Sequence, residues 1–554
     1  MINLFSNACA APKPGGRLVL ATVSDPKSFN DIVAKETSTT LVTGYIFEGL
    51  TTVNAFTAQV EPLLAERWEV SADGLEWTFH LRHDVQFNDG APLTADDVLF
   101  TFNELIYNDD IPSSARDIYT IDGKRFDVKK IDDYTVSFVL PTKFAPFLRS
   151  MSQAILPKHK LQTVVDTGKF NFHWGIDTPP SEIVGTGPFM LTQYEPGQRL
   201  VFNRNPHYWK KSEKGARLPY LDELVYLIVQ NGDVQLLKFF EGETDIYSLR
   251  GSDFPLLKPL EQQKNFTVYD LGPDTGSQFI FFNQNRGLNP TTNKPFVDAP
   301  KLRWFTNPEF RRAVAHAIDK EKMLEIVKNG LGYPQYSPIG PGAGFFHSDE
   351  VERYEYDLEK ARTILAAAGF VDTDGDGVIE DDQGVEVEFN LYTNAGATER
   401  IDIASIIRQD LENIGMKVNF LTLEFNTLVA KLTSTFEWDA IVLGLTGGTE
   451  PHFGKNVWSS DGGLHMWHPR QELPETAWEA RIDELFSLGV QEIDETKRKE
   501  YYDEFQLIVS QRLPIIYTVL SSKLTAVRSR IGNLKPTTFG GVLHNIEELY
   551  ILSE

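Results

Sequence analysis

The sequence lacks several features that would place it in a restricted class of protein. Cys9 is the sole cysteine among 554 residues, so no intrachain disulfide can form. No run of about 18 apolar residues is present, which excludes a membrane-spanning helix. The patterns G-x-S-x-G and H-E-x-x-H and the glycine-rich phosphate loop are also missing. These absences argue against a disulfide-rich domain, a helical membrane protein and the enzymes that carry those motifs.

Basic residues are outnumbered by acidic ones. The chain has 53 Lys and Arg against 78 Asp and Glu, which gives a formal charge of −25. Nucleic acid is therefore not expected as a partner, because phosphate binding requires clustered basic side chains. The acidic excess could attract cationic ligands, but a solvated acidic surface explains it without any partner. The length predicts several domain-sized units, and 41% hydrophobic residues suffice for their cores.

The stretch from Leu64 to Asn103 begins with the pattern of a β-hairpin. Trp77, Phe79 and Leu81 alternate with polar residues, which is the period of a half-buried strand. Residues 88–90, Asn-Asp-Gly, have the composition of a tight turn. The sequence therefore predicts an amphipathic strand, a turn and then a helix.

Short polar residues mark the starts of several predicted helices. Thr94, with Asp97 three residues later, matches a capping box ahead of an apolar stripe. Asn307, Asp319 and Asp357 each precede a segment with apolar residues at helical spacing. Such residues accept hydrogen bonds from the free N–H groups of the first helical turn, so we predict helices after each of them.

Strand and helix patterns alternate along the second half of the chain. A helix is predicted from residue 399, followed by a strand at 416–423, a helix at 427–432 and a strand at 439–443. Alternation of this kind is typical of α/β proteins. The predicted fold class is therefore α/β.

Five ordered segments resemble one protein family. The resemblance is carried by residues 45–50 (YIFEGL), 64–103, 185–189 (GTGPF), 202–209 (FNRNPHYW) and 310–314 (FRRAV). The chain resembles the family 5 extracellular solute-binding proteins, the receptors of bacterial peptide-type ABC importers. The resemblance extends over nearly the whole chain beyond residue 16. It implies a two-lobed periplasmic-binding-protein-like fold (type II, cluster C) with an inserted subdomain, a monomeric ligand receptor rather than an enzyme, and no required cofactor.

The family's layout implies the following division of the chain. Two strands, near residues 272–283 and 514–527, would cross between the lobes. The first lobe would be discontinuous. The implied ranges are 16–55, 185–272 and 525–554 for the first lobe, 56–184 for the inserted subdomain, and 273–524 for the second lobe. The ligand is expected in the cleft between the lobes, where closure buries most of a small solute.

The segment 444–452, GLTGGTEPH, resembles the family's principal ligand loop. In peptide-binding relatives an aspartate of this loop holds the peptide α-amino group, and Gly448 stands at that place here. Dipeptide-binding relatives use an arginine for the ligand carboxylate where this chain has Asn394. Both charged anchors are thus expected to be absent, which argues against an ordinary short zwitterionic peptide. Gly447 and His452 of the same loop are further candidate ligand contacts.

Other candidate ligand contacts come from acidic, hydroxyl and indole groups. Glu450 could replace the missing cation anchor, or it could simply face solvent. Thr37 belongs to a hydroxyl-rich turn that suits either ligand binding or helix capping. Trp458 and Trp467 could form an apolar wall of the cleft, and core packing explains them equally well.

Residues 372–379, DTDGDGVI, resemble the start of a calcium loop. Asp372, Asp374 and Asp376 occupy alternating positions around a glycine turn, as in an EF-hand. Gln383 stands where an EF-hand requires a bidentate glutamate, and the residues after it alternate like a strand. A polar turn is the default interpretation, with a structural calcium ion as the alternative.

The first fifteen residues are predicted to be an expression remnant followed by a tether. Residues 6–8, Ser-Asn-Ala, resemble a tag scar, and Cys9 is followed by a flexible Ala-, Pro- and Gly-rich stretch. Cys9 is then the expected lipid-bearing residue of a lipoprotein, with an incidental exposed cysteine as the alternative. The implied location is the periplasm or the outer face of the cytoplasmic membrane.

The resulting expectation is a receptor that delivers an oligopeptide or peptide-like solute to ABC permease subunits. A second interpretation keeps the receptor but replaces the ligand with an oligosaccharide, an opine or a siderophore, as the uncharged Gly448 and Asn394 suggest. A more distant alternative is a secreted hydrolase whose active site is assembled from residues far apart in the sequence.

Overall fold

The computed structural model of the protein describes residues 14–34, 36–121 and 123–552. Cys9 lies outside these ranges, so its predicted lipidation stays a prediction. Within them helices and strands alternate as predicted, and the α/β class is confirmed. No helix in these ranges is both long and apolar enough to cross a membrane.

One sheet forms the base of the first lobe. Leu18 and Leu20 are buried on one face of its first strand, while Arg17 at the start of that strand is exposed, in agreement with the period of two. The first strand pairs in parallel with the second, and the remaining pairs are antiparallel. In spatial order the strands are Arg17–Thr22, Glu223–Ile228, Arg199–Arg204 and Phe189–Glu195.

A second, antiparallel sheet contains the predicted hairpin. Its strands, in spatial order, are Ala65–Val70, Glu76–Leu81, Thr135–Val139 and Asp127–Asp132. The predicted turn is confirmed as well, since Gly90 has φ +88°. Phe79 and Phe138 of this sheet belong to the same buried apolar cluster as Leu18, so the sheet shares one core with the first lobe.

The predicted helix starts are confirmed by their capping bonds. The backbone N–H of Thr94 donates to Asp97 Oδ2 at 2.9 Å, which forms half of the capping box ahead of helix Ala95–Leu99. Asn307, Asp319 and Asp357 accept hydrogen bonds of 2.8–2.9 Å from N–H groups two or three residues later. These bonds satisfy donors that a helix cannot pair internally.

The second lobe is built on another sheet. Its strands, in spatial order, are Lys417–Leu423, Glu388–Asn394, Ala440–Leu445, Ser277–Phe282 and Ile515–Tyr517. Two apolar clusters pack against its faces, one containing Phe282 and Phe389 and the other containing Phe279 and Phe281. Phe281 and Phe282 thus point to opposite faces, as successive residues of a strand must.

Two antiparallel strands join the lobes. Strand Phe266–Pro273 pairs with strand Val519–Arg528, with Phe266 opposite Arg528 and Pro273 opposite Ser522. The first strand continues into Ser277–Phe282 of the second lobe, and the second strand follows Ile515–Tyr517 of the same sheet. We call these the hinge strands. The residue limits assigned above to the lobes and the subdomain stay a prediction.

The remaining elements surround these sheets. The α-helices, together with short 3₁₀- and π-helices, span Thr37–Thr43, Phe100–Ile106, Ala115–Ile118, Phe147–Ser150, Lys158–Asp166, Phe170–Phe172, Pro180–Glu182, Gly232–Glu241, Gly251–Asp253, Phe254–Leu257, Lys258–Leu260, Ala299–Thr306, Pro308–Ala317, Lys320–Ile326, Pro341–Phe346, Leu358–Ala367, Thr398–Glu412, Phe425–Ala430, Lys431–Thr435, Pro451–Gly454, Lys455–Trp458, Ala477–Gln491, Glu495–Arg512 and Ile546–Glu548. Short strands span Thr51–Val53, Val60–Pro62, Thr120–Ile121, Lys124–Arg125, Ile246–Leu249, Gly332–Pro334, Ile531–Gly532 and Tyr550–Ile551.

Candidate ligand-binding cleft

A cavity of about 510 Å³ lies between the two lobes and against the hinge strands. Thr37 contributes from the first lobe, Lys523 from a hinge strand, and Asn394 and Gly447 from the second lobe. The volume is within the range of about 300–1,000 Å³ that is usual for small-molecule sites. Most of the lining residues are polar, so a ligand there would meet hydrogen-bonding groups from both lobes.

The segment 444–452, which we call the ligand loop, leaves strand Ala440–Leu445 and runs along this cavity. Gly447 packs against the backbone where the chain passes between the lobes: a Cβ at this position would overlap the carbonyl oxygen of Thr275. Thr275 Oγ1 also donates to the Gly447 carbonyl oxygen at 3.2 Å. At Gly448, by contrast, a Cβ would meet no atom within 4 Å. Gly447 therefore fixes the position of the loop, while Gly448 borders open space.

An adjoining cavity of about 380 Å³ extends along the other side of the ligand loop. It shares Gly447 with the first cavity and is also lined by Gly448, Glu450 and Trp458. The two cavities together form a cleft that follows the ligand loop.

Glu450 is neither free nor facing solvent. Its side chain is only 6% exposed and forms an ion pair with Arg498, whose side chain is 5% exposed. Arg498 Nη1 donates to Glu450 Oε2 at 3.0 Å, and the backbone N–H of His452 donates to Glu450 Oε1 at 3.1 Å. The solvent-facing alternative is wrong. The cation-anchor role stays a prediction, and this existing pairing argues against it.

His452 is a buried contact between the two lobes and lines neither cavity. Its Nε2 lies 3.3 Å from the Ile118 carbonyl oxygen, and its ring meets Phe144 edge-on at 5.2 Å. Burial lowers the pKa of His452 to about 3, so the ring is neutral at physiological pH. Its predicted ligand contact stays a prediction.

The two tryptophans differ in their surroundings. Trp458 lines the adjoining cavity and also packs against Trp467, with ring centroids 5.4 Å apart. Both lie in the same apolar cluster of the second lobe, with Trp458 6% and Trp467 1% exposed, and Trp467 lines neither cavity. An apolar wall is therefore available from Trp458, whereas core packing accounts for Trp467.

Thr37 is the first residue of helix Thr37–Thr43, and its exposed side chain lines the inter-lobe cavity. No side chain caps this helix. The Thr39 hydroxyl instead accepts hydrogen bonds from the backbone N–H groups of Lys27 and Ser28, which lie outside the helix. Capping thus does not explain these hydroxyls.

A guanidinium lies beside Asn394, although the sequence analysis missed it. Arg400, in the first turn of helix Thr398–Glu412, lines the cavity, and its Nη1 donates to Asn394 Oδ1 at 2.5 Å. Asn394 is uncharged as predicted, but the position does not lack a cation. One local signal was available, because a basic residue in the first turn of a helix opposes the helix dipole and calls for a specific reason.

Several contacts hold the lobes together around the cleft. Lys455 Nζ donates to the carbonyl oxygens of Asp117 and Thr120 at 3.1 and 2.9 Å. Arg149 Nη1 donates to Thr449 Oγ1 of the ligand loop at 3.2 Å. Because these bonds join segments on opposite sides of the cleft, the described conformation is a closed one.

The predicted calcium loop brings its carboxylates together away from the cleft. Oxygens of Asp372, Asp374, Asp376 and Glu380 all lie within 4.8 Å of one another. Glu380 takes no part in the expected EF-hand pattern; its Oε2 already accepts the backbone N–H and the hydroxyl of Thr373 at 2.7 Å. Calcium binding stays a prediction.

Comparison with known proteins identifies the family. The profile of the bacterial extracellular solute-binding proteins, family 5 (middle region), matches residues 59–463, which is more than half of the chain. The chain belongs to this family. The solute-binding proteins of family 5 are receptors rather than enzymes, and they act outside the cytoplasm.

Individual relatives agree over nearly the full length. A "Probable ABC transporter-binding protein" of Deinococcus radiodurans is 28% identical, covering 93% of this chain and 88% of the relative. The oligopeptide-binding protein AppA of Bacillus subtilis is 27% identical, covering 90% and 84%. Its structure in complex with a nonapeptide aligns with a TM-score of 0.84 at 24% identity, covering 98% and 100% of the two chains.

A solved structure with a different ligand has a similar fold. The periplasmic binding protein MelB of Agrobacterium fabrum, in complex with stachyose, aligns with a TM-score of 0.83 at 22% identity, covering 98% of this chain and 85% of MelB. Both structural likenesses confirm the predicted two-lobed periplasmic-binding-protein fold. Since the same fold holds a peptide in one protein and a sugar in the other, the fold alone does not assign the ligand.

Proposed function

We propose that this protein is the substrate-binding receptor of an ABC importer, and that it captures an oligopeptide or a peptide-like solute between its lobes. The observation that carries the proposal is the cleft itself, which is lined by both lobes, the hinge strands and the ligand loop. Family membership and the similarity to AppA support the same role.

Capture would proceed by rotation about the hinge strands. In an open state the ligand reaches one lobe first, and its contacts with the other lobe then favour closure. Bonds such as those from Lys455 to Asp117 and Thr120 form only when the lobes meet. The permease can then distinguish loaded, closed receptors from open ones, and no covalent chemistry is required.

A non-peptide solute is the second candidate. Gly448 carries no carboxylate for the α-amino group of a peptide. The likeness to MelB in complex with stachyose shows that this fold accommodates such a ligand elsewhere. An oligosaccharide, an opine or a siderophore would meet the same polar lining.

The ligand class can be tested directly on the purified protein. Native mass spectrometry of protein purified without additions should reveal a retained solute, and its mass identifies the class. Thermal-shift measurements with tripeptide and longer peptide pools, stachyose and opines then provide an independent ranking. We expect stabilisation by peptide pools; stabilisation by sugars alone would contradict the peptide proposal but retain the receptor.

We also propose that the receptor is a monomer held at the membrane surface by a lipid on Cys9, close to its permease. Expression behind a lipoprotein signal peptide should place the protein in the membrane fraction. Cys9→Ser should release it without changing its melting temperature, whereas release of neither or both forms would contradict the anchor. Light scattering of the Cys9→Ser protein measures the oligomeric state.

A further inference from the structure

The Arg400 side chain is a partly buried cation at the wall of the inter-lobe cavity. Its Nη1 donates to Asn394 Oδ1, while its Nε is buried without a hydrogen-bond partner among the described residues. Nη2 occupies space that is available only because residue 444 is glycine, since a Cβ there would lie 2.8 Å from it. The sheet thus leaves room for the Arg400 guanidinium, but the described residues do not satisfy all of its hydrogen-bond donors.

The charge of Arg400 is also unmatched by the protein. The neighbouring acid, Glu399, is already bonded to the buried Lys328, with Nζ to Oε2 at 2.6 Å. Within residues 14–34, 36–121 and 123–552, no carboxylate lies within ion-pair distance of the Arg400 guanidinium. Burial lowers the pKa of Arg400 to about 10, so the group remains charged at neutral pH. A partly buried cation without a counter-charge is costly, and charged groups of this kind cluster at functional sites.

The helix that carries Arg400 favours an anion at the same place. Helix Thr398–Glu412 has fifteen residues, and its N-cap residue, Ala397, lines the cavity and supplies no side-chain cap. The free N–H groups and the positive end of the helix dipole therefore meet the cavity beside the guanidinium. Two independent features, a dipole and a full charge, thus call for negative charge in the ligand.

The remaining charges of the cavity lining agree. Lys523 is the other cation among the described lining residues, and Asp274 is the one carboxylate. Asp274 Oδ1 accepts the backbone N–H of Thr275 at 2.7 Å, and Lys523 forms no ion pair with any described residue. The lining thus carries one positive charge in excess, although the whole chain carries −25. This local reversal fits a ligand group with a single negative charge better than an uncharged sugar hydroxyl or a dianionic phosphate.

A neighbouring side chain, Gln278, has an acceptor that could bind a hydrogen-bond donor of the ligand. Gln278 lines the same cavity, and its buried Oε1 has no donor among the residues that the structure describes. A ligand with an acceptor for Arg400 and an N–H or O–H donor for Gln278 would satisfy both. A carboxylate next to an amide or amine has this chemistry.

We propose that Arg400 and the N-terminus of its helix form the anion subsite of the cleft, and that the transported solute carries a carboxylate which binds there. The inference rests on the receptor role proposed above and narrows its ligand class. The carboxylate can belong to the C-terminus of a peptide or to an opine-type carboxylated amino acid, and both present the same planar group to the guanidinium.

The test compares matched probes on matched variants. The probes are a tripeptide pool with free C-termini, the same pool with C-terminal amides, N-(1-carboxyethyl)arginine and stachyose. The variants are Arg400→Met and, as a control on the same helix, Arg408→Met, whose exposed side chain lies 3.8 Å from Glu412. Calorimetric titration should show roughly 10- to 100-fold weaker binding of carboxylated probes to Arg400→Met, with Arg408→Met unchanged.

The outcomes separate this inference from the receptor proposal. If amidated peptides or stachyose bind the wild type as tightly as the acids do, the anion subsite is overturned and the receptor stands. If only N-(1-carboxyethyl)arginine binds, the subsite stands and the peptide assignment fails.

If no probe binds, the melting temperature of ligand-free protein decides. Arg400→Met should then melt at or above the wild type, because a partly buried charge without a counter-charge has been removed. A clear decrease would assign Arg400 a structural role and overturn the subsite.

Discussion

Glu450 and Arg498 form an ion pair beneath the ligand loop, with both side chains almost completely withdrawn from solvent. Arg498 Nη1 lies 3.0 Å from Glu450 Oε2, and Arg498 Nε donates to the Gly489 carbonyl oxygen at 2.9 Å. The pair thereby ties the loop to the helical region of the second lobe. Arg400, which lines the inter-lobe cavity, has no such partner in the described chain. Arg498 is thus paired with a carboxylate of the protein, whereas Arg400 is not.

The first prediction concerns this pair. Glu450→Gln should lower the free energy of unfolding of the second lobe by about 3–5 kcal/mol, because Arg498 is left buried without a counter-charge. Calorimetry should detect this as a lower melting temperature. The double variant Glu450→Met with Arg498→Met should recover most of the loss, since an apolar pair of similar size replaces the charges. A double variant as unstable as the single one would contradict the ion-pair explanation.

The second prediction uses the two adjacent glycines of the ligand loop. Gly447→Ala should weaken ligand binding and lower the melting temperature, because the added methyl group overlaps the Thr275 carbonyl oxygen and must displace the loop or the hinge. Overpacking of this kind costs about 1–3 kcal/mol. Gly448→Ala is the matched control for stability, since the same methyl group would enter the open cleft without meeting a protein atom. Equal losses of melting temperature in the two variants would show that the close approach at Gly447 is unimportant.

The third prediction addresses closure. Lys455→Met removes two hydrogen bonds that join the lobes, from Lys455 Nζ to the Asp117 and Thr120 carbonyls, but no contact in the inter-lobe cavity. The closed state should become less favourable, so the apparent ligand affinity should fall by several-fold to about tenfold. Small-angle scattering should also report a larger radius of gyration for the ligand-free variant.

The control for closure is Lys431→Met. Lys431 Nζ also donates to a backbone carbonyl, that of Glu437 at 3.0 Å, but both residues belong to the second lobe. This variant should keep the affinity and the scattering profile of the wild type. An equal loss of affinity in both variants would indicate a general effect of removing a lysine rather than a latch between the lobes.

The sequence predicted the parts of this structure that depend on neighbouring residues. Asn307, Asp319 and Asp357 cap their helices as expected because a cap bonds to N–H groups only two or three residues away. The strand containing Phe79 and the turn at Gly90 were predictable for the same reason. The ordered family motifs then supplied the two-lobed fold.

The charges of the site were not predictable in this way. Glu450 finds its partner 48 residues later in the chain, and no local pattern relates it to Arg498. Arg400 reaches Asn394 across a strand–helix connection, so comparison of aligned positions alone showed only the missing charge at Asn394. Trp458 and Trp467 are both buried in one apolar cluster, and only the folded structure shows that Trp458 also lines the cleft. Tertiary pairing, not residue type, decides what remains free for a ligand.

The last prediction concerns the pH dependence of stability. Glu48, in the first lobe, accepts hydrogen bonds of 3.2 Å from the Tyr208 hydroxyl and from Trp209 Nε1. Burial raises the pKa of Glu48 from 4.5 to about 7 in the folded protein. The folded state therefore binds this proton more tightly than the unfolded state, and stability decreases as the pH rises from the unfolded to the folded pKa.

Between about pH 5 and pH 8 the free energy of unfolding of the wild type should fall by about 2–4 kcal/mol relative to that of Glu48→Gln, which cannot ionise. Melting curves across this range measure the difference. Glu359→Gln, on a side chain that is 86% exposed, should follow the wild type. Parallel curves for the wild type and Glu48→Gln would show that Glu48 is already ionised at low pH in the folded state.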